Sequence, residues 1–270
     1  SLAVTSANNS APYTTALTAD SSGLTLVGRP VFSSADAGTV SVDQGSVQLT
    51  GARAANYRLV WVAASATITP APLTMTANND ARFYSLNDDP AYAGVRFSGF
   101  VAGQTAGVLT GTAVVTRDRT GLSGTDDLDT ASSTAYVGKL VPSGVTSNNY
   151  TITPVNGNYT IVPVGELLVK VANTSATYGS TPTYSLTYAG YMSDTGSQTY
   201  AVTDLLASGY ATVSGTQVTV TDGSVTKGSF TLGADTPSLS GSGTLKVGSY
   251  NVGATAITTS SANFNNTINV

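Results

Sequence analysis

Internal repetition limits what this chain can fold into more than any other feature of its sequence. Residues 73–83 read LTMTANNDARF, and residues 168–178 read LVKVANTSATY. The Ala-Asn step, the alanine that follows it and the closing aromatic residue coincide in the two stretches. When a three-residue insertion is allowed, residues 90–92 (PAY) match residues 182–184 (PTY) as well. Such self-similarity is typical of a tandem array, in which each repeat is one small structural unit.

A second correspondence lies near the end of each repeat, where a polar turn opens a strand. The turns carry Asn56-Tyr57, Asn149-Tyr150 and Asn263-Phe264, and a glycine (Gly45, Gly138 or Gly253) precedes each turn by ten or eleven residues. Two repeats then close on an isoleucine, one further residue and a proline, at Ile68-Thr69-Pro70 and Ile161-Val162-Pro163. Proline cannot donate to a β-ladder, so both prolines indicate a strand end and a short, stiff linker. We therefore predict repeat one at residues 1–69, repeat two at 70–163 and repeat three at 164–270.

The local patterns predict an all-β protein. Short runs alternate valine, isoleucine, leucine or tyrosine with threonine or serine, and they are bounded by glycine, asparagine, aspartate and proline. Helix formers are scarce, since glutamate occurs only at Glu166. We expect at most short helical turns, at residues 101–109 and 200–208. The repeat size favours an elongated tandem of small β-sandwich or β-grasp-like domains over an extended β-helix.

Three local features bear on how the strands pack. Lys170 aligns with Met75 of the apolar face of repeat two, so either the register differs in repeat three or Lys170 lies at the rim of the core. The pair Asn156-Gly157 predicts a type I′ hairpin. Trp61 lies among apolar neighbours and is expected to pack in a core or between repeats.

Composition excludes several classes of function. The chain has no cysteine and no histidine, which removes disulfides, thiol nucleophiles and the commonest general base. Its net charge of −4 offers no basic footprint for nucleic acid. Its apolar runs are too short to span a bilayer. We expect a protein that is not an enzyme, that needs no cofactor, and that does not span a membrane; calcium is the one ion for which the sequence offers candidate ligands.

The order of these motifs resembles that of MBG-type repeats. The resemblance is carried by PLTMTAN at 72–78, by Tyr178-Gly179-Ser180, by SGFVAGQTAGVLTG at 98–111 and by the closing NYTI segments. Repeat one, with DAGTVSV at 36–42, looks more like the related YDG repeat without its opening motif. Both kinds of repeat are similar to those of large filamentous-haemagglutinin-like bacterial adhesins exported by two-partner secretion.

This resemblance implies an extracellular or cell-surface location and a structural or adhesive stalk that supports cell–cell or matrix adhesion and biofilm formation. A narrower resemblance is to the cyclic-di-GMP-regulated biofilm matrix adhesins of pseudomonads. It implies an exopolysaccharide, or another copy of the adhesin, as the partner.

Aromatic residues crowd repeat three and suggest an alternative function as a carbohydrate-binding module. Sugars stack on exposed aromatic faces, and Tyr188, Tyr191 and Tyr200 are the candidates for such a platform. Tyrosine also fills core-edge positions in strands, and this structural role is the commoner one.

Two acidic clusters are candidates for calcium, a cation that takes several oxygen ligands. They are Asn87, Asp88 and Asp89, and Asp126, Asp127 and Asp129. Neither has the spacing of an EF-hand loop. A solvated turn is the favoured interpretation of each cluster, because aspartate and asparagine favour turns.

Overall fold

A computed structural model of the chain describes residues 3–6, 21–84, 86, 92–120, 132–196, 199–222 and 225–270. Strands dominate, and the helices within these residues are three short 3-10 turns at Ser21–Gly23, Ala54–Asn56 and Ala106–Val108. The all-β prediction is therefore confirmed. The predicted turn at 101–109 contains one of these 3-10 segments, whereas the one at 200–208 is extended to Asp204 and then turns.

The described residues before Pro70 form seven strands: β1 (Ala3–Ser6), β2 (Thr25–Val27), β3 (Val31–Phe32), β4 (Gly38–Asp43), β5 (Gln48–Thr50), β6 (Tyr57–Val60) and β7 (Ala64–Ile68). They form the sheets β1-β6, β2-β5 and β3-β4-β7. The half-buried Trp61 donates from its indole nitrogen to the Val42 carbonyl at 2.9 Å.

Repeat two supplies the next seven strands: β8 (Ala71–Ala77), β9 (Asp80–Phe83), β10 (Val95–Ser98), β11 (Thr110–Arg117), β12 (Ser132–Thr146), β13 (Tyr150–Val155) and β14 (Gly157–Val162). They form the sheets β10-β8-β13 and β11-β12-β14-β9. Burial in β8 explains the alternation of apolar residues and threonine in its sequence. Leu73, Met75 and Ala77 are buried, and the threonines between them are not.

Repeat three supplies eight strands: β15 (Leu167–Val171), β16 (Leu186–Gly196), β17 (Thr199–Asp204), β18 (Ala211–Ser214), β19 (Gln217–Asp222), β20 (Val225–Ala234), β21 (Val252–Thr259) and β22 (Ile268–Asn269). They form the sheets β17-β16-β15-β22 and β18-β19-β20-β21. Their core contains Val169, Leu205, Val218, Phe230 and Leu232, each at most 1% exposed.

The chain divides into two compact units. The first contains the described parts of residues 1–74, 98–111 and 145–153, and the second contains those of 75–97, 112–144 and 154–270. In the first unit, the Asn149 side chain accepts a hydrogen bond from the Ala37 backbone at 2.7 Å and donates one to Asp36 at 2.8 Å. The boundaries predicted near Pro70 and Pro163 separate repeats of the sequence, and the compact units are a different kind of division. These boundaries therefore stay a prediction.

The predicted hairpin at Asn156-Gly157 is wrong. Strand β13 belongs to one sheet and β14 to another, so the chain crosses between sheets at Asn156. The Asn156 side chain donates to the Gly138 carbonyl at 3.0 Å, which holds the crossing against β12.

Gly157 is required at this crossing for a steric reason, and its replacement by alanine should be costly. A Cβ atom there would lie 2.7 Å from the carbonyl oxygens of both Ala77 and Asn78, which are backbone atoms that cannot turn away. We expect Gly157→Ala to lower the free energy of unfolding by about 1–3 kcal/mol, as overpacking does. Urea unfolding followed by circular dichroism measures the change. Gly233→Ala, where a Cβ would meet open space, is the control.

Candidate functional site

Tyr188 lies on β16, opposite Lys170 of β15, and is partly buried. Its ring meets that of Phe83 edge to face, with the ring centroids 6.2 Å apart. Burial, with a smaller contribution from the charge of Asp204, raises the pKa of Tyr188 to about 12. The phenol is therefore a neutral packing group at physiological pH.

Tyr191 lies deeper than Tyr188, at 6% exposure. Its ring centroid is 5.4 Å from that of Phe264, which is 2% exposed. The same pair occurs in repeat two, where Phe100 and Tyr150 lie 5.5 Å apart. Phe100 follows Ser-Gly as Tyr191 follows Ala-Gly, and both partners come from the Asn-aromatic turn. Tyr191 thus occupies the packing position of Phe100 in its repeat.

Tyr200, on β17, packs against Tyr84 edge to face at 5.4 Å between ring centroids. Burial raises its pKa above the ordinary value, and Tyr84 and Asp194 add to this. Tyr188 and Tyr200 therefore border one cluster, whereas Tyr191 belongs to the core of repeat three. The three rings do not form a single open face. A carbohydrate site at these residues stays a prediction.

The cluster that Tyr188 and Tyr200 border was not predicted from the sequence, and it joins repeats two and three. Its buried members are Phe83 and Val162 from repeat two and Leu168 and Met192 from repeat three, each at most 3% exposed. All belong to the second compact unit. Aligning the repeats could not reveal this cluster, because the alignment compares one repeat with another and contains no information on contacts between them.

An ion pair lies beside this cluster. Lys170 Nζ is 2.6 Å from Asp80 Oδ1, and the Asp80 side chain is only 4% exposed, against 32% for Lys170. Asp80 Oδ1 also accepts the Ala81 backbone N–H at 2.7 Å. Of the two alternatives that the alignment left open, Lys170 therefore fits the rim position, where its stem covers apolar surface while its ammonium remains partly in water.

The calcium candidates Asn87, Asp88, Asp89, Asp126, Asp127 and Asp129 lie outside the described residues. Among the residues that are described, no three acidic side chains converge on a point that could hold a metal ion. Calcium binding by the two clusters stays a prediction. Within the same described part, no helix is long and apolar enough to cross a membrane.

Comparison with known proteins adds one finding. Residues 73–160 match the family model of the MBG domain of the YGX type. No curated protein and no solved structure matches the chain. The match begins at Leu73 in β8 and ends in β14. It therefore includes strands from both sheets of repeat two. The chain therefore contains an MBG domain of the YGX type at residues 73–160.

Proposed function

We propose that this chain is a non-enzymatic, load-bearing spacer of an extracellular adhesin, and that its repeats transmit force between the parts of the protein on either side of them. The MBG domain at 73–160 is compatible with an adhesin-like repeat. The proposal includes a cell-surface location and adhesion to matrix exopolysaccharide or to further copies of the protein.

The observation that carries the proposal is the parallel pairing of β15 with β22, the first and last described strands of repeat three. Leu167 pairs with Ile268 and Leu168 with Asn269, and the Leu167 N–H donates to the Thr267 carbonyl at 3.1 Å. Tension applied at the start of the first strand and the end of the last one pulls parallel neighbours past each other. Their hydrogen bonds must then break together and not one at a time.

The contacts across Pro163 support the same function. Phe83 and Val162 pack on Leu168 and Met192, and the ion pair of Asp80 with Lys170 lies beside them. Force on repeat three therefore reaches repeat two through a buried apolar cluster as well as through the covalent linker. A load-bearing spacer needs this coupling, because two repeats joined by a free hinge would first move apart under tension and only then resist the force.

Single-molecule pulling in two geometries tests the proposal. The chain has no cysteine, so introduced cysteines are unique attachment points. Handles at Asn173→Cys and Asn265→Cys lie beyond opposite ends of the β15–β22 pair and load it lengthwise, whereas handles at Asn173→Cys and Val270→Cys lie at the same end and peel it. We expect a several-fold higher unfolding force in the lengthwise geometry.

Equal forces in the two geometries would remove the support for a spacer. The alternative, a carbohydrate-binding module, is tested with the same purified chain on an array of polysaccharides. Saturable binding that Tyr188→Ala or Tyr200→Ala abolishes, in variants whose circular dichroism is unchanged, would favour that alternative. Release of sugar from any polysaccharide would contradict the non-enzymatic part of the proposal.

A further inference from the structure

A covalent cross-link between repeats would have to use a side chain other than cysteine, since the chain has none. Tyrosine is able to form such a link. When two phenols each lose one electron and one proton, the resulting radicals join through the ring carbons next to their oxygens. The coupling needs two tyrosine rings in contact, and both must be open to the oxidant because each of them loses an electron.

The pair of Tyr84 and Tyr200 has this arrangement where repeats two and three meet. The ring centroids lie 5.4 Å apart, and the ring planes are inclined at 86°. Burial raises the pKa of Tyr200, and the hydrogen bond with the Tyr84 side chain raises it further, so the two hydroxyl groups lie together as well. Each residue is only partly buried, which leaves both rings accessible to small molecules in solution.

Ordered backbone holds the two rings in place. Tyr84 directly follows β9, and its N–H donates to the Val162 carbonyl at 2.9 Å. Tyr200 lies on β17 and is paired with Asp194 of β16. Both rings also pack against the buried cluster that joins the two repeats. The reacting groups are therefore positioned before any oxidant arrives, which favours a reaction within the chain over one between chains.

A second tyrosine pair shows what distinguishes this one. The ring centroids of Tyr92 and Tyr159 lie 5.7 Å apart, at 87°. Tyr159 is only 1% exposed, however, and the guanidinium of Arg117 lies 4.3 Å from its ring centroid. An oxidant in solution does not reach Tyr159, and both residues belong to repeat two. Proximity alone therefore does not make this pair a cross-linking site between repeats.

We propose that Tyr84 and Tyr200 are a site of oxidative modification, at which hydrogen peroxide and a haem peroxidase link repeats two and three covalently. A bond forms between a Cε atom of one ring and a Cε atom of the other. Each phenol gives up one electron and one proton, and the hydrogens displaced at the new bond move to the ring oxygens. One peroxide molecule accepts both electrons and both protons and becomes two water molecules. The inference goes beyond the spacer function and does not depend on it.

Treatment of the purified chain with hydrogen peroxide and a haem peroxidase, at high dilution, tests the proposal. We expect dityrosine fluorescence in a product that remains a monomer and has lost the mass of two hydrogen atoms. Proteolysis and mass spectrometry should identify one linked pair of peptides, which contain Tyr84 and Tyr200. The same treatment in urea should lose this product, because the unfolded chain no longer holds the rings together.

Two conservative variants make the assignment specific. Tyr200→Phe keeps the packed ring but cannot form a phenol radical, so it should lose the intramolecular product. The matched Tyr92→Phe should retain it. The cross-linked chain should also unfold at a higher urea concentration than treated Tyr200→Phe, because the link closes a long loop in the unfolded state.

Four results would overturn the proposal. They are the absence of dityrosine, links that form only between chains or at other tyrosines, an undiminished intramolecular yield in Tyr200→Phe, and an equal yield of the Tyr84–Tyr200 product in urea. An unfolding midpoint equal to that of treated Tyr200→Phe would contradict the part of the proposal in which the link holds the two repeats together.

Discussion

Replacing Phe83 with alanine should lower the free energy of unfolding of the second compact unit by about 3–5 kcal/mol, as the removal of a buried phenylalanine ring does. Phe83 is 2% exposed, and its ring packs against Tyr188 and beside Val162, Leu168 and Met192. The truncation leaves a cavity where repeats two and three meet. Urea unfolding, followed by circular dichroism, measures the loss.

Hydrogen exchange separates a local effect from a general one. If the cluster couples the repeats, Phe83→Ala should speed exchange at Leu168 and Met192, both in repeat three, as well as in β9. The control is Phe32→Ala on β3, where the ring is 57% exposed. An equal loss of stability in the two variants would show that the cluster does not stabilise the second unit as its burial indicates.

Lys170→Met should cost about 3 kcal/mol, because it leaves a carboxylate buried without its cation. Asp80 is 4% exposed, and its other hydrogen bond through Oδ1 comes from the Ala81 backbone. Methionine keeps most of the apolar stem of lysine, so the variant removes the charge with little change in packing. Thermal and urea unfolding at neutral pH give the change in stability.

Two comparisons make this result specific to the buried carboxylate. Lys139→Met disrupts the pair with Asp118 at 3.0 Å, whose side chains are 23% and 35% exposed, and should cost less than about 1 kcal/mol. The double variant Asp80→Leu with Lys170→Met removes both charges and should recover most of the stability. If the double variant were as unstable as Lys170→Met alone, packing and not the uncompensated charge would be the cause.

The sequence predicted features that depend on short-range pattern. Alternation in residues 73–77 predicted the buried face of β8. The alignment of the Asn-aromatic turns indicated that Tyr150 and Phe264 are equivalent residues, and in the structure they form the equivalent ring pairs Phe100–Tyr150 and Tyr191–Phe264. A wider comparison of the repeats would have indicated that Tyr191 packs in the core, since Tyr191 follows Ala-Gly as Phe100 follows Ser-Gly, and phenylalanine has no polar tip.

Features that depend on contacts between distant segments could not be predicted. Asn156-Gly157 has the composition of a tight hairpin. However, β14 pairs with β12 and β9, so neither of its edges is left to pair with β13. The partner of Lys170 is 90 residues away in another repeat. No local pattern encodes that distance, and the cluster around Phe83 escaped prediction for the same reason.

The parallel pairing within the repeats also determines when each fold can be completed. Strand β15 must wait for β22 across about a hundred residues (167 to 268), and β9 must wait for β14. Contacts between such distant positions form slowly, because the loop must close before any hydrogen bond compensates for the lost chain entropy. A repeat emerging from the ribosome therefore cannot complete its sheet until its last strand is free. Until then, only the pairs between strands that are near in sequence, such as β16–β17 and β18–β19, can form.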